Sequence, residues 1–454
     1  MSPKRVSPRQ RPGRGAPALP SSLPPNTATA GATPVNWRQV IIFLVLTLGL
    51  TWLIDLAIWV TVGFDANSPV SDMSLQAQVL LPALIAILLQ MYVFADSPIH
   101  FSKNIGRARW FYYFVILLAG LYLAASVVGL AAPNEVSRFQ EEMARLAPTP
   151  SAGQVSPVAT VGATPGALAS PTPGAQATPS EAAGAPAAAE QPQPTPPLFF
   201  MLFGMIQMLN LISVMVLLLV WFLNRREAEP HPGLQFGKLQ YWLIFGAGIG
   251  LFYLSQALLN YVFNLGQPVD TAQWLIDHSA AGQGEQLAST FRESPWSFWG
   301  LIAAQVLILL PVQTLVVSFG KEYGWRGYLQ SALTRLGRVK GVLLVGLFWG
   351  LWQAPVAAMG YSYPGQPELG VVVMIAYSVA LAFVLGYVVL KSGSIWPAAF
   401  GFAINSAVNG VLTELIFKPN DPILCFGTGL FGVVCLAAIG LALWQDPIWQ
   451  AQEG

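Results

Sequence analysis

Charged residues are scarce in this sequence. Asp, Glu, Lys and Arg together make up 9% of the chain, whereas hydrophobic residues make up 54% and the mean hydropathy is +0.55. A water-soluble protein of this composition would lack the polar surface needed to cover its apolar interior. The composition therefore excludes the soluble globular class and indicates a protein whose solvent is the lipid bilayer.

Cysteine is also rare. The chain has 2 cysteines, Cys425 and Cys435, which lie in one apolar stretch near the C-terminus. Their number and their shared setting exclude a disulfide framework and a thiolate metal site. We interpret both as small core residues.

Apolar stretches long enough to cross a bilayer recur along the chain. A helix needs about 20 such residues, and the lipid interior admits only helices or closed barrels. The runs of Leu, Val and Ile show no period-two alternation, which favours helices. We predict an all-α, polytopic membrane bundle of about ten transmembrane helices, with spans at residues 39–63, 77–95, 108–131, 197–223, 241–265, 297–319, 341–358, 369–390, 394–415 and 423–444.

Two segments differ from the rest in composition. Residues 1–36 combine Pro, Gly and Ser with basic residues and predict a disordered tail, and residues 146–196 are almost entirely small, Pro or polar residues that cannot bury a core. We therefore predict a disordered extracytoplasmic linker. The predicted division of the chain is a basic tail (1–36), N-terminal helices (37–131), the linker (132–196), further helices with an outer loop (197–290), a membrane core (291–446) and a C-terminal tail (447–454).

Basic residues concentrate in alternate joints between the spans. When the N-terminal tail and every second joint are assigned to one side, all but four of the 22 Lys and Arg residues fall there. The positive-inside rule then places both termini in the cytoplasm, and an even number of spans agrees with that placement. We expect an integral protein of a bacterial plasma membrane.

A polar segment, Lys321-Glu322-Tyr323-Gly324-Trp325-Arg326-Gly327, follows one of the apolar stretches. Glu322 and Arg326 are four residues apart, so they share a helical face and we expect an ion pair. A charge at membrane depth costs about a few kcal/mol, so such residues indicate functional sites. Taken alone, the Glu322–Arg326 pair is equally compatible with an interfacial salt bridge that has no catalytic role. For Asp55, in the first span, we favour a structural role.

Two later segments place further polar residues in predicted spans. The first is Gly350-Leu351-Trp352-Gln353-Ala354-Pro355, followed by Gly360-Tyr361-Ser362-Tyr363-Pro364-Gly365. The second is Ser394-Ile395-Trp396-Pro397-Ala398, which leads into residues 402–409.

The helix that contains residues 402–409 has a polar face. Positions 402, 405, 406 and 409 lie on the same side of an α-helix, so Asn405, Ser406 and Asn409 form a stripe beside Phe402. Such a stripe is also expected where amide side chains join membrane helices and have no other role.

The three segments, in this order and spacing, resemble the three motifs of the CPBP family of intramembrane metalloproteases, which includes the CAAX prenyl endopeptidases and Abi-like proteins linked to bacteriocin immunity. The first family motif is Glu-Glu, any residue, Gly-Trp-Arg-Gly, and this sequence matches all of it except that Lys321 replaces the first Glu. In the second motif Gln353 replaces a His. In the third, which ends with Asn405, Phe402 replaces a His.

The resemblance implies a site in which the first Glu and the two histidines bind a metal such as zinc, or its water, for amide hydrolysis. A charged ammonium has no lone pair for a metal, an amide oxygen is a poor zinc ligand, and a phenyl ring offers no donor. The only histidines, His100, His231 and His278, lie in polar joints. We therefore expect no metal cofactor, with Glu322, Arg326 and Asn405 as the retained family positions.

Three functions are compatible with this sequence. The first is a catalytically degenerate family member with an intramembrane cavity, lined by Ser406 and Asn409, that binds a hydrophobic peptide, a lipidated tail or another membrane protein. The second is an active endopeptidase that uses Glu322 as base, with Asn405 and Asn409 as atypical ligands for zinc or a similar metal. The third is a transporter, although broken helices and inverted repeats are not evident. The lipid bilayer is the expected surrounding partner, and no nucleic acid is expected.

Overall fold

The computed structural model describes residues 34–63, 68–94, 109–146, 195–224, 235–279 and 283–450. These ranges are almost entirely helical, which confirms the all-α class. The helices are α1 (Trp37–Val62), α2 (Pro69–Leu88), α3 (Arg109–Ala131), α4 (Pro133–Leu146), α5 (Leu198–Asn224), α6 (Leu239–Val262), α7 (Thr271–His278), α8 (Gly284–Glu293), α9 (Pro295–Ala304), α10 (Leu310–Gln313), α11 (Leu315–Glu322), α12 (Gln330–Leu333), α13 (Arg338–Ala358), α14 (Pro367–Ser392), α15 (Trp396–Ala407), α16 (Thr413–Ile416) and α17 (Leu430–Leu443).

Several of these helices are joined end to end by π-helical turns. The turns cover Leu89–Val93 after α2, Gln305–Leu309 between α9 and α10, Tyr323–Leu329 after α11, and Val408–Leu412 after α15. Isolated π-turns within α-helices occur often at functional sites, because each turn shifts the side chains that follow it.

Within the described ranges, nine helical stretches are long and apolar enough to cross a bilayer. They are Trp37–Val62, Pro69–Val93, Arg109–Ala131, Leu198–Leu223, Leu239–Val262, Pro295–Gln313, Arg338–Ala358, Pro367–Ser392 and Trp396–Ile416. The tenth predicted span, 423–444, contains only the shorter apolar helix α17. This helix starts at Leu430 because Gly427, with φ +93°, turns the preceding chain out of helical geometry.

The first helices of the bundle are joined by buried polar contacts. The Gln78 amide of α2 donates to Asp55 Oδ1 of α1 at 2.6 Å, and the Asn210 amide of α5 donates to the Tyr122 hydroxyl of α3 at 2.7 Å. Such hydrogen bonds stabilise helix pairs in lipid, where unpaired polar groups are costly. Asp55 therefore has the helix-joining partner that a structural role requires.

The first part of the predicted linker, 132–196, is ordered as helix α4. Its apolar side faces the bundle, since Val136 is buried and the ring centroids of Phe139 and Phe200 are 4.8 Å apart. This amphipathic spacing gives the segment a face to bury, unlike the Pro- and Ala-rich residues that follow. Residues 147–194 and 1–33 lie outside the described residues.

Helices α13 and α14 pack with their backbones in close approach. A Cβ atom added to Gly346 would lie 2.7 Å from the Val379 Cα atom, and one added to Gly350 would lie 2.8 Å from the Ile375 Cα atom. The two glycines are spaced four residues apart, as in the small-residue interfaces of membrane helices. This contact fixes the side chains of α13 that face the bundle interior.

The segment around Lys321 packs closely on α2. A Cβ atom added to Gly324 would lie 2.5 Å from the backbone carbon of Pro82, and one added to Gly320 would meet the Leu80 side chain. The first motif is therefore held against the N-terminal helices and inside the bundle.

Helix α15 begins at an aromatic stack. The Trp396 ring is fully buried and lies 4.2 Å from the Phe319 ring centroid and 5.4 Å from that of Phe236. The Ser394 hydroxyl accepts a hydrogen bond from the Trp396 backbone N–H at 3.2 Å and donates to the Gln235 carbonyl. The third motif thus anchors the start of the helix that carries Phe402 and Asn405.

Two short segments at the ends of helices are also fixed. Strands β1 (Gly266–Pro268) and β2 (Phe417–Pro419) pair antiparallel, with Gln267 opposite Lys418. In the predicted C-terminal tail, Trp449 stacks on Phe383 with ring centroids 4.4 Å apart.

Candidate functional site

Three charged residues of the first motif lie inside the protein. Lys321, Glu322 and Arg326 have exposed fractions of 1%, 0% and 2%. Lys321 and Glu322 end helix α11, and Arg326 lies in the π-helical turn that follows. The close packing of Gly320 and Gly324 on α2 leaves the polar side of this segment facing α13 and α15. We call these three residues the charge cluster.

The predicted ion pair of the charge cluster is present. The Arg326 Nη1 atom lies 3.1 Å from Glu322 Oε2 and donates a hydrogen bond to Oε1 at 3.3 Å. Lys321 Nζ lies 3.7 Å from the same Oε1 atom. With all three groups ionised, the cluster holds two positive charges and one negative charge.

Aromatic rings surround the cations of the charge cluster. The Lys321 ammonium lies over the Phe402 ring and 4.3 Å from the centroid of a ring of Trp349. The Arg326 guanidinium carbon also lies 4.3 Å from a Trp349 ring centroid. The faces of aromatic rings attract cations, so Trp349 and Phe402 partly offset the cost of burying the two charges.

The structure brings two of the three substituted motif positions into direct contact, namely Lys321 and Phe402. Gln353, the third, lies one turn after Trp349 on α13, and its amide donates to the Ser378 hydroxyl of α14 at 3.2 Å. Its amide group therefore joins α13 to α14.

Asn405 ends a buried chain of hydrogen bonds. Its Oδ1 atom accepts from the Tyr377 hydroxyl at 3.3 Å, and the Tyr377 hydroxyl is also bonded to that of Tyr253 on α6. Asn405 thus links α15 to α14 and α6.

The two remaining residues of the predicted polar stripe differ from Asn405 in their surroundings. Ser406 is exposed and Asn409 is half-buried, whereas Asn405 is buried. Asn409 lies in the π-helical turn Val408–Leu412, so the α-helical face on which the stripe was predicted ends before it. Their role as cavity-lining residues stays a prediction.

The residues at the substituted positions do not fit a metal ion. The Lys321 ammonium, an N–H donor without a lone pair when charged, lies against the Phe402 ring where the family motif has a histidine. Among the described residues, no group of three or more His, Cys, Asp and Glu side chains lies together. His278, on α7, instead stacks on Trp274 with ring centroids 4.5 Å apart.

The sequence did not single out three residues that hold the site together. Trp349, Tyr377 and Ser378 contact the charge cluster, Asn405 and Gln353, respectively. Trp349 had a signal, because it directly precedes the second motif and lies one helical turn before Gln353. Tyr377 and Ser378 lie on α14, between the motifs, where no pattern marks them.

The N-terminal helices also support the site. The Trp352 indole N–H donates to the Thr51 hydroxyl of α1 at 2.8 Å, and the Tyr323 hydroxyl donates to Gln90 Oε1 at 2.7 Å. The motifs of the C-terminal half are therefore fixed in part by residues from the first ninety.

Comparison with known proteins agrees with this arrangement. Residues 303–408 match the family model described as Type II CAAX prenyl endopeptidase Rce1-like. No curated protein and no solved structure matches the chain. The matched residues contain all three motifs, from Lys321 to Asn405. This part of the membrane protein is therefore similar to the type II CAAX prenyl endopeptidases, and the resemblance to the CPBP family is confirmed.

Proposed function

We propose that this chain is a non-catalytic relative of the CAAX-type endopeptidases that binds a hydrophobic peptide, a lipidated tail or another membrane protein. The observation that carries the proposal is the contact between Lys321 and Phe402. Two positions that would supply metal ligands in the family supply here a cation and a ring that attract each other.

The retained motif residues support a binding scaffold. Trp325, Trp349 and Trp396 are fully buried, and glycines at 346 and 350 allow α13 and α14 to pack closely. These features hold the helices of the site in place without requiring hydrolysis. A scaffold of this kind can retain binding after the hydrolytic groups are lost.

An active endopeptidase with an atypical site has less support. A general base must have a free lone pair near the proton that it removes. The Glu322 Oε2 atom accepts no hydrogen bond, but it lies 3.1 Å from the Arg326 guanidinium, which blocks the approach of a water molecule from that side; Asn405 Oδ1 already accepts from Tyr377.

We further propose that the protein lies in a bacterial plasma membrane with both termini in the cytoplasm. The support is the concentration of basic residues in the N-terminal tail and in alternate joints, together with the positive-inside rule.

A hydrolysis assay tests the proposed function. The full chain in detergent is incubated with hydrophobic peptides, with and without a lipid chain, and binding and cleavage are followed in the same samples. We expect saturable binding and no cleavage. Cleavage by the native chain that disappears in Glu322→Gln would overturn the proposal and support the endopeptidase.

A further inference from the structure

The donors and acceptors around the charge cluster do not balance. Arg326 uses Nη1 to bond Glu322, but its Nε and Nη2 atoms are buried and have no hydrogen-bond partner among the described residues. The indole N–H group of Trp349, which lies against Arg326, is also buried and unpartnered, and so is the Oε2 atom of Glu322. Buried N–H groups are almost always satisfied in proteins, so three unsatisfied donors in residues that contact one another call for an explanation.

The two unpartnered nitrogens of Arg326 lie on one edge of the planar guanidinium. The N–H bonds of Nε and Nη2 are parallel, and their spacing fits the two oxygens of a carboxylate in a bidentate contact. The other edge is occupied by the protein's own carboxylate, Glu322. Arg326 is therefore arranged to hold a second carboxylate.

The charges of the cluster point to the same ligand class. With Lys321 and Arg326 both positive and Glu322 negative, one further negative charge makes the group neutral. Lys321 Nζ and Arg326 Cζ each lie 4.3 Å from a ring of Trp349, so both cationic groups lie next to the same side chain. A monoanion balances this site, whereas a dianion would leave an unpaired negative charge in an apolar interior.

The surroundings indicate that the rest of the ligand is apolar. Trp349 and Phe402 provide aromatic surface next to the cations. Phe402 is half-buried, in contrast to the fully buried Lys321. An aliphatic acid fits this combination of a charged end and apolar walls, and so does the C-terminal carboxylate of a hydrophobic peptide.

We propose that Lys321 and Arg326 form a binding site for the carboxylate of a hydrophobic acid, with the Nε and Nη2 atoms of Arg326 as its bidentate donors. The inference deepens the proposed binding role and rests on it. It adds that the group bound next to Arg326 is a carboxylate.

The test is a titration of the full-length protein in a non-ionic detergent, followed by its tryptophan fluorescence. The probes are sodium octanoate, octanol, and one Leu-rich tetrapeptide prepared with a free C-terminus and as the C-terminal amide. We expect saturable binding of at least one carboxylate probe and no saturable binding of octanol or the amide. Octanoate alone would identify an aliphatic acid as the ligand, and the free peptide alone a C-terminal carboxylate.

Variants separate this site from general damage to the fold. Arg326→Lys keeps the positive charge but removes the paired Nε and Nη2 donors. We expect about a tenfold or larger loss of affinity for the carboxylate probe. Lys321→Met should also weaken binding. Arg292→Lys, at an exposed position on α8, is the matched control and should leave affinity unchanged.

Several results would overturn the inference. Equal binding of octanoate and octanol would show an apolar site only, and displacement of octanoate by equimolar sodium chloride would show a general anion site. Unchanged affinity in both Arg326→Lys and Lys321→Met would place the ligand elsewhere. Peptide cleavage, measured in the same samples, tests the proposed function separately. Cleavage with carboxylate binding intact rejects only the non-catalytic role, whereas no cleavage with equal binding of the free peptide and its amide rejects only the carboxylate site.

Discussion

Two of the ionic groups among the described residues differ in burial, charge balance and hydrogen bonding. The charge cluster is buried, has two cations for one carboxylate, and leaves several donors unpaired. The Lys391–Asp446 pair is partly exposed and balanced one to one, with Nζ and Oδ2 2.6 Å apart. The Asp446 carboxylate also accepts from the Tyr387 hydroxyl and the Ile448 N–H.

The difference separates a pair that joins parts of the fold from a cluster that fits the proposed binding role. The Lys391–Asp446 pair has its partners within the chain and joins α14 to the segment after α17. The charge cluster is more costly to bury and its hydrogen bonds are incomplete, features that concentrate at functional sites. Four changes to the protein or its pH test this difference.

Glu322→Gln should have the largest effect on stability. It leaves Lys321 and Arg326 buried without a counter-charge, and removing one partner of a buried ion pair costs about 3–5 kcal/mol. We expect a clear fall in the midpoint of thermal unfolding, measured in detergent without an added carboxylate ligand. Glu293→Gln, at an exposed position on α8, is the control. An unchanged midpoint would show that the three groups are not ionised together.

Gly324→Ala should have the next largest effect, because it disturbs the packing that positions the cluster. The added Cβ atom would meet the Pro82 backbone at 2.5 Å, and overpacking of this kind costs about 1–3 kcal/mol. Gly49→Ala, in the middle of α1, has no atom within 4 Å of the new Cβ. This control should keep or raise the midpoint, and equal losses in both variants would contradict the packing argument.

Lys321→Met should cost little stability, in contrast to Glu322→Gln. It removes the surplus positive charge and leaves the Arg326–Glu322 pair intact, and apolar replacement of buried ions is often neutral or stabilising. We expect a change within about 1 kcal/mol in the free energy of unfolding. A loss as large as that of Glu322→Gln would show that Lys321 is an essential partner of the cluster.

Acidification is expected to have the smallest effect on stability, through the partly exposed Lys391–Asp446 pair. The hydrogen bond from Lys391, with those from Ile448 and Tyr387, lowers the pKa of Asp446 from 3.8 to about 2. A lowered pKa means that Asp446 contributes fully to stability above pH 3.8 and loses this contribution as the pH falls through about 2. The segment that contains Trp449 should therefore loosen between these values, as measured by acrylamide quenching.

The control for the acid titration is Asp446→Asn. Acrylamide quenching of tryptophan fluorescence in this variant should already be higher at neutral pH. It should not change further between pH 3.8 and about 2. A transition that persists in the variant would assign the loosening to another carboxyl group.

Much of the helical architecture could be predicted from the sequence. Long apolar runs predict membrane helices because lipid leaves the backbone no other partner, and the spacing of Glu322 and Arg326 predicts their ion pair. The short α17 and the π-helical turn after α11 could not be predicted, since local geometry and tertiary packing decide where a helix stops or widens.

The site itself was predicted only in part. The motifs identified Lys321, Gln353 and Phe402 as substituted positions, but nothing in the sequence predicts that Lys321 contacts Phe402. This contact depends on how α11 packs against α15. The partners Tyr377 and Ser378 lie on α14, where their positions become meaningful only once the glycines of α13 bring the two helices together.

We propose that Lys321, Gln353 and Phe402 replace the metal-binding residues of the family with residues that bind no metal. The most direct test measures zinc and other metals per chain in the purified native protein and in the triple variant Lys321→Glu, Gln353→His and Phe402→His. We predict no bound metal in the native protein and about one metal ion per chain in the triple variant, as expected for a restored carboxylate and two imidazoles. Stoichiometric metal in the native protein would contradict the account.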